Sequence, residues 1–481
     1  MSDRALWTVE AMAAAMRASR VGPLPPSASG LSIDSRSIAS QEAFFAILGE
    51  SRDGHDFVAA ALERGAAVAV VAQEKRGAMP PDAPLLVVPD VLAALRDLAA
   101  AARARSQARV IAVTGSVGKT GTKDALRLVL GQQGETHASA ASYNNQWGVP
   151  LSLARLPESA RFAVFEIGMN HAGEIAPLTR LVRPHVAIIT AVEPVHLEFF
   201  DSVEAIADAK AEIFLGLEPD GAAVLNRDSP LYDRLAGAAR RAGARRIVSF
   251  GEDPRSDARL LNVSLQPEGS SVHAKILGND ALYKLGAPGR HLVNNSLAVL
   301  TAAALAGADL AMAALALAAL EPPSGRGQRI ALETPSGAAL LIDESYNANP
   351  ASMRAALGLL GQAPVGRRGR RIAVLGDMLE LGARAGEFHG ELVEPVVADD
   401  IDLVFCAGPL MRQLWERLPA ERRGGYAETS AALEADVLAA VRGGDVVMVK
   451  GSLGSRMGPL VKALARRFPH HEAAASAAAQ G

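Results

Sequence analysis

Residues 109–126 read RVIAVTGSVGKTGTKDAL, and this stretch decides the fold. An apolar, β-branched run ends in a glycine-spaced turn, and a helix-forming segment follows the turn. Gly115 and Gly118 leave backbone N–H groups free to close on phosphate oxygens. Lys119 supplies a positive charge beside them, and the Thr120 hydroxyl is suited to a divalent cation. The common phosphate-loop pattern G-x-x-x-x-G-K-[ST] calls for glycine at 113. Val113 stands there instead, and the first glycine comes two positions later at Gly115, so the loop is a shortened variant.

Working outward, the texture of that strand and loop repeats. The runs FAVFEIG, VAIITAV and AAVLN alternate with helical segments, which predicts a parallel sheet with crossover helices. RLLNVSLQPEGSSVHAKILG alternates apolar and polar residues about a turn and predicts an appended β-hairpin. Before Ala108 lie AFFAIL, AAVAVVA and PLLVVP, which predict a small α/β domain. After Pro322 the runs ALLIDES, RRIAVLGDM, DLVFCAG and DVVMVKGS each end in glycine or polar residues, where open parallel sheets bind ligands. The expectation is an α/β protein of three domains. These are a small N-terminal domain at 1–107, a central P-loop parallel-sheet domain at 108–322 with the hairpin, and a Rossmann-like α/β domain at 323–468. A disordered tail is expected at 469–481, where HHEAAASAAAQG has no apolar face.

Composition narrows the classes of function. With 481 residues and 49% of them hydrophobic, the chain holds enough for several cores. Lys plus Arg at 49 nearly cancels Asp plus Glu at 52, so no broad basic field favours nucleic acid or an anionic membrane. The short clusters GRRGRR and RRAGARR read as solvated surface. A single cysteine, Cys406, suits a reducing compartment. The opening MSDRALWTVEAMAAAMRASR carries Asp3 and Glu10 and lacks the apolar core of a secretory signal. SLAVLTAAALAGADLAMAALALAAL, from Ser296, has the length of a membrane span. Its alanine content and the AGAD break predict two short packed helices instead. The expected location is cytoplasmic, without membrane insertion.

Three further residues draw attention. Glu166 ends the run FAVFE, where a carboxylate is costly to bury unless paired or metal-bound. His196 lies in the loop after VAIITAV. Lys210, in EAIADAKAEIF, reads from its surroundings alone as an exposed helix lysine paired with neighbouring acids.

Taken in order, these motifs resemble the Mur ligase family of ATP-dependent amide-bond-forming enzymes. TGSVGKT resembles its phosphate loop, FEIGMNHAGEI its metal-acid segment, VHLEFF its histidine segment and DAKAEIF the segment whose lysine is carbamylated. APGRHLVNNSLAVLTAA resembles the helix start near the nucleotide base, and DESYNANPASM a segment opening the third domain. The likeness runs from about Leu6 to about Leu464. Within the family, YNANPASM, LGDMLELG, VKGSLGSRM, IDSRSI and DGHDF resemble members that add D-alanyl-D-alanine to UDP-N-acetylmuramoyl-tripeptide. The Asp-Asn-Pro-Arg-like segment of the diamino-acid-adding enzymes is absent. A sibling amino-acid-adding ligase is the alternative, with a P-loop switch ATPase behind it.

The resemblance implies roles for individual residues. Gly115, Ser116, Val117, Gly118, Lys119, Thr120 and Gly121 would hold the ATP phosphates, and Asn295, Arg326 and Asp343 would reach other parts of ATP. Thr120 and Glu166 would hold one Mg²⁺; Lys210 as a carbamate and His196 would hold a second. Lys119, Glu166, His196 and Lys210 would be the catalytic set. Ser35, Arg36 and His55 would lie near the uridine diphosphate end, with Asn144 and Asn145 also toward substrate. Tyr346, Asn347, Asn349, Lys450, Ser452 and Arg456 would face the incoming peptide. A monomer is implied. Two positions depart from the family pattern: Gly121, where a second hydroxyl is common, and Leu292, where Asn is common.

Overall fold

The computed structural model describes residues 5–49, 52–139, 143–194, 198–266, 269–322 and 325–470. His196 falls outside them, as does the expected tail beyond His470.

The strand Arg109–Thr114 sits inside a nine-stranded sheet. From one edge the order is Asn279–Leu285, Gly269–Ile276, Ala258–Gln266, Arg246–Gly251, Ala222–Asn226, Val186–Ile189, Arg109–Thr114, Phe162–Glu166 and Thr136–Ala138. All pairings from Ala258–Gln266 to Thr136–Ala138 are parallel. The side-chain period of two puts Val110 and Ala112 in one core cluster and Ile111 and Val113 in another, so both faces of the strand are buried. The helices Lys119–Gly131 and Arg290–Leu305 cover the second face. On the first face, one continuous core joins Val110 and Ala112 to Val68, Val70 and Leu86 of the N-terminal sheet. Leu95 and Leu98 of the helix Val91–Arg105 bridge the two.

The expected hairpin is a three-stranded antiparallel meander that extends the central sheet. Leu277 (φ 50°) and Gly278 (φ 90°) form a tight turn of the twist that hairpins favour, and it returns NDALYKL as a third strand. The apolar stretch from Ser296 lies in two helices, Arg290–Leu305 and Leu310–Ala316, parted near Gly307 at φ 82°. Among the described residues no helix is long and apolar enough to cross a membrane.

The N-terminal sheet has five strands, in the order Ser19–Val21, Leu85–Val88, Val68–Ala72, Glu42–Phe45, Gly30–Ser32; only the first pairs antiparallel. The third sheet runs Gln328–Thr334, Gly337–Glu344, Val446–Lys450, Arg371–Gly376, Leu403–Ala407, Arg423–Ala427 and is parallel after its first pair. Gln328–Thr334 and Arg423–Ala427 were not legible as strands. The latter, RGGYA, has too few apolar residues to signal one. The GRRGRR cluster is not wholly solvated surface: Arg370 pairs with the buried carboxylate of Asp445 at 2.7 Å and donates to Ala440 O at 2.6 Å.

Candidate active site

The phosphate loop takes its shape from its glycines. Gly115 (φ 151°) and Gly118 (φ 86°) lie where side chains are disfavoured. A Cβ on Gly115 would collide with Thr190 Oγ1, and one on Gly118 would lie 2.6 Å from Asn295 Nδ2. The end of Val186–Ile189 braces the loop. Thr190 Oγ1 donates to Val117 O at 2.6 Å, and Ser116 N–H donates to Ala191 O at 2.7 Å. Gly118 is the N-cap of the helix Lys119–Gly131, so the positive end of that helix faces the loop. Lys119 Nζ bends over the loop and donates to Gly115 O at 2.7 Å and to Ser116 O at 3.4 Å. Burial lowers its pKa; Glu166 opposes that shift and Arg326 adds to it. Arg326 stacks on the ring of Tyr346, 4.4 Å from its centre.

Glu166 is 1% exposed. Its Oε2 accepts from Thr120 Oγ1 at 2.9 Å and its Oε1 from Asn144 Nδ2 at 2.8 Å. Thr120, Glu166 and Asn144 thus form one hydrogen-bonded chain beside the loop, with Thr120 and Glu166 buried and Asn144 half-buried. Asn144, expected toward substrate, lies on this carboxylate, while Asn145 caps the helix Gly148–Ala154 by accepting from Gly148 N–H at 2.9 Å. Gly121 has open space around it: a Cβ there would meet nothing within 4 Å. Leu292 packs against the core cluster of the meander and its helices.

Lys210 overturns the bland reading of its surroundings. It is 2% exposed and is no surface lysine. Burial and the charge of Lys119 push its pKa well below the usual lysine range. Its helix, Val203–Ala211, is capped by Ser202 and buries Ile206, Ala207 and Ala209.

Other expected residues fall into separate places. Ser35 and Arg36 line a cavity of about 290 Å³ that Tyr143 and Trp147 of the central domain also line. Those two aromatics escaped the sequence reading, although SYNNQWG carries both. Arg36 is held by Asp34 at 2.7 Å. His55 is not free for a ligand: Nε2 accepts from Ala72 N–H at 2.9 Å and Nδ1 lies 2.6 Å from Asp53. Its two ring nitrogens hold the N-terminal domain together instead.

In the third domain, the Asp343 carboxylate accepts from Gly325 N–H at 3.1 Å and from Ser345 Oγ at 2.6 Å, so it anchors the chain entering that domain. Lys450 is 2% exposed and pairs with Glu344 at 3.1 Å, with a second bond to Asn347 O at 3.0 Å. Asn349 is the N-cap of the helix Pro350–Gln362, in a capping box with Ser352. Ser452 Oγ accepts from Leu379 N–H at 3.0 Å. Asn347 and Arg456 remain exposed, and Tyr346 is half-buried. A carboxylate, amide or lysine at a loop has the same local signal whether it meets a ligand or a distant backbone group, and here several meet the backbone.

The residues present fit a nucleotide phosphate and a divalent cation. The glycine cradle has no room for a Cβ, Lys119 spans it, and Thr120 and Glu166 present oxygen atoms side by side. Among the described residues no cluster of three His, Cys, Asp or Glu forms a ready-made metal cage.

Three family models match the chain in order. Residues 27–103 match the Mur ligase family catalytic domain, 113–303 the Mur ligase middle domain, and 325–453 the Mur ligase glutamate ligase domain. The chain is 35% identical over 440 residues to the UDP-N-acetylmuramoyl-tripeptide–D-alanyl-D-alanine ligase of Bacillus subtilis (strain 168), across 90% of this chain and 93% of that protein. Its structure is similar to the crystal structure of MurF from Acinetobacter baumannii, with a TM-score of 0.82 and 29% identity over 95% of this chain and 98% of that one. It is also similar to the MurF ligase from Thermotoga maritima in complex with ADP, with a TM-score of 0.75 and 26% identity over 91% and 97%.

Proposed function

This chain belongs to the Mur ligase family, and from that premise we propose that it joins D-alanyl-D-alanine to the terminal carboxylate of UDP-N-acetylmuramoyl-tripeptide with ATP. The product is the UDP-pentapeptide precursor of peptidoglycan. The observation that carries this reading is the likeness to ligases of that name, which spans all three sheets. The phosphate loop and the Thr120–Glu166–Asn144 chain supply the matching chemistry.

A carboxylate resists attack by an amine, because its charge repels the nucleophile and oxide is a poor leaving group. In the first step the terminal carboxylate oxygen bonds to the γ-phosphorus and the bond to the β,γ-bridging oxygen breaks, releasing ADP. In the second the amine of D-alanyl-D-alanine bonds to the carbonyl carbon, phosphate leaves, and the amine gives up a proton. Phosphoryl transfer depends chiefly on alignment and charge neutralisation. Backbone N–H groups at Val117 and Gly118 and the Lys119 ammonium bind the phosphate oxygens and spread their charge. Ser116 gives its N–H to Ala191 O and its hydroxyl to Glu193 O, and so shapes the loop. Lys119 then exchanges its bonds to Gly115 O and Ser116 O for bonds to phosphate.

Thr120 and Glu166 would hold one Mg²⁺, and Lys210 with His196 a second; bound there, the ions neutralise the like charges of carboxylate and polyphosphate. Lys210 supports the carbamate reading, because its environment favours the neutral amine, the form that adds CO₂ with loss of a proton. Asn144 orients the Glu166 carboxylate.

Residues 1–107 bind the UDP-sugar peptide, 108–322 bind ATP, and 323–468 present the dipeptide. Ser35 and Arg36, beside Tyr143 and Trp147, suit the uridine diphosphate end. Asn295 faces the loop at Gly118, which suits it to ATP, and Arg326, whose positive charge acts on Lys119, suits a polyphosphate. The exposed Asn347 and Arg456, with Tyr346, suit the dipeptide. A monomer working in the cytoplasm, where ATP and UDP-linked precursors are found, completes this reading.

The test is phosphate release with ATP, Mg²⁺ and UDP-N-acetylmuramoyl-tripeptide, with D-alanyl-D-alanine, D-glutamate, L-alanine or nothing added. Release restricted to the dipeptide, with a UDP-pentapeptide in the mass spectrum, is the expected result. Release with a different acceptor reassigns the step, and acceptor-independent turnover overturns the ligase reading.

A further inference from the structure

Glu166 and Lys210 stand on different elements, and something must set the distance between them. Past Glu166 the chain runs through 167–174 into the helix Ile175–Val182. Past Lys210 the helix Val203–Ala211 passes into the turn Glu212–Gly216. Glu212, half-buried, reaches back across this gap. One carboxylate oxygen accepts from Gly173 N–H at 2.6 Å and the other from Ala176 N–H at 3.0 Å. The helix Ile175–Val182 has no side-chain cap from its own N-cap residue, Glu174, so a carboxylate from 36 residues away occupies its positive end.

A second strut runs parallel to the first. Thr179 Oγ1, fully buried, donates to Ile213 O at 2.7 Å, and Gly216 packs directly against the Thr179 carbonyl.

We propose that Glu212 is a positioning residue for metal binding, locking the segment behind Glu166 to the turn behind Lys210. Both its oxygens are committed to amides, so it acts through the spacing of the two ligand-bearing elements and not as a ligand. The inference rests on the reading of Glu166 and Lys210 as magnesium ligands. The struts divide the labour: Thr179 holds the helix body, whereas Glu212 holds the loop next to the site.

Manganese binding to the full chain tests this by electron paramagnetic resonance, with a non-hydrolysable ATP analogue and UDP-N-acetylmuramoyl-tripeptide present. Glu212→Gln keeps the side chain's size but leaves one acceptor oxygen for two amides. It is expected to weaken the second manganese about tenfold, the low end for changes behind a metal ligand, with the first ion little changed. Glu212→Ala is expected to weaken it further, and if that variant does not fold, the glutamine variant decides. Thr179→Val, which removes the other strut, is expected to lower the melting temperature while keeping near wild-type affinity for both ions. Wild-type affinity for both ions in the Glu212 variants overturns the proposal. So does an equal loss in Thr179→Val, which would reduce Glu212 to general stability. Lys210→Ala is titrated alongside: two ions bound there with wild-type affinity would sink the metal reading itself, and this inference with it.

Discussion

Thr120 Oγ1 donates to Glu166 Oε2 at 2.9 Å, joining the first turn of the phosphate-loop helix to the end of the adjacent strand. Two residues 46 positions apart thereby become one oxygen-rich edge beside the glycine cradle. The parallel register that pairs Glu166 with Val113 makes this possible, because it ends both strands at the same level.

Removing either member should therefore act through the cation. Thr120→Val is expected to raise the Mg²⁺ concentration for half-maximal activity by about 10–100-fold. Glu166→Gln should lower kcat further, since it discards a charge as well. Steady-state rates across a magnesium titration decide this; an unchanged magnesium dependence in both variants would remove Thr120 and Glu166 from the metal site.

Lys210→Ala should lose activity by at least about 100-fold, as expected for a lost metal ligand. Short carboxylic acids such as formate should restore part of it by filling the space with an anionic oxygen. In the wild-type chain, ¹³C-bicarbonate should give a carbamate carbon signal that Lys210→Ala lacks. Full activity of the alanine variant without added acid would contradict the carbamate role.

Gly118→Ala places a Cβ in the left-handed region at φ 86°, 2.6 Å from Asn295 Nδ2. The backbone cost is about 1–2 kcal/mol, before any displacement of Asn295. ATP affinity should fall with stability, read by thermal melting with and without nucleotide. Gly121→Ala provides the contrast, because open space surrounds that position. A Gly118→Ala variant with wild-type melting and ATP binding would mean that the loop relaxes freely.

His185 predicts a pH dependence. Its Nδ1 accepts from Val110 N–H at 3.0 Å, and its own N–H donates to Val110 O at 2.8 Å, so it clamps the start of the phosphate-loop strand. Burial, with Arg109 and Arg103 nearby, pushes its pKa down from 6.5 to about 4. Between those values the unfolded chain binds the extra proton. Stability is thus present above pH 6.5 and is lost as pH falls toward 4, by up to about 1.4 kcal/mol per pH unit. Denaturant melts between pH 4 and 7 should show a shallower slope in His185→Gln; equal slopes would assign the pH dependence to other groups.

Residue order alone determined the α/β class, the phosphate loop and the family, because strand alternation, glycine spacing and Lys-Thr at a helix start are local signals. Tertiary structure decided which polar residues remain free. His55 binds Ala72 N–H and Asp53, Asp343 anchors Gly325, and Lys450 pairs with Glu344. Asp53 stands two residues from His55, but nothing beside the others in the chain announces Ala72, Gly325 or Glu344. Lys210 shows the converse. Its neighbours suggest a solvated helix face, yet packing of distant elements leaves it 2% exposed. Local order sets backbone conformation and the side-chain period, whereas burial and partnership depend on which remote segments the sheet brings together.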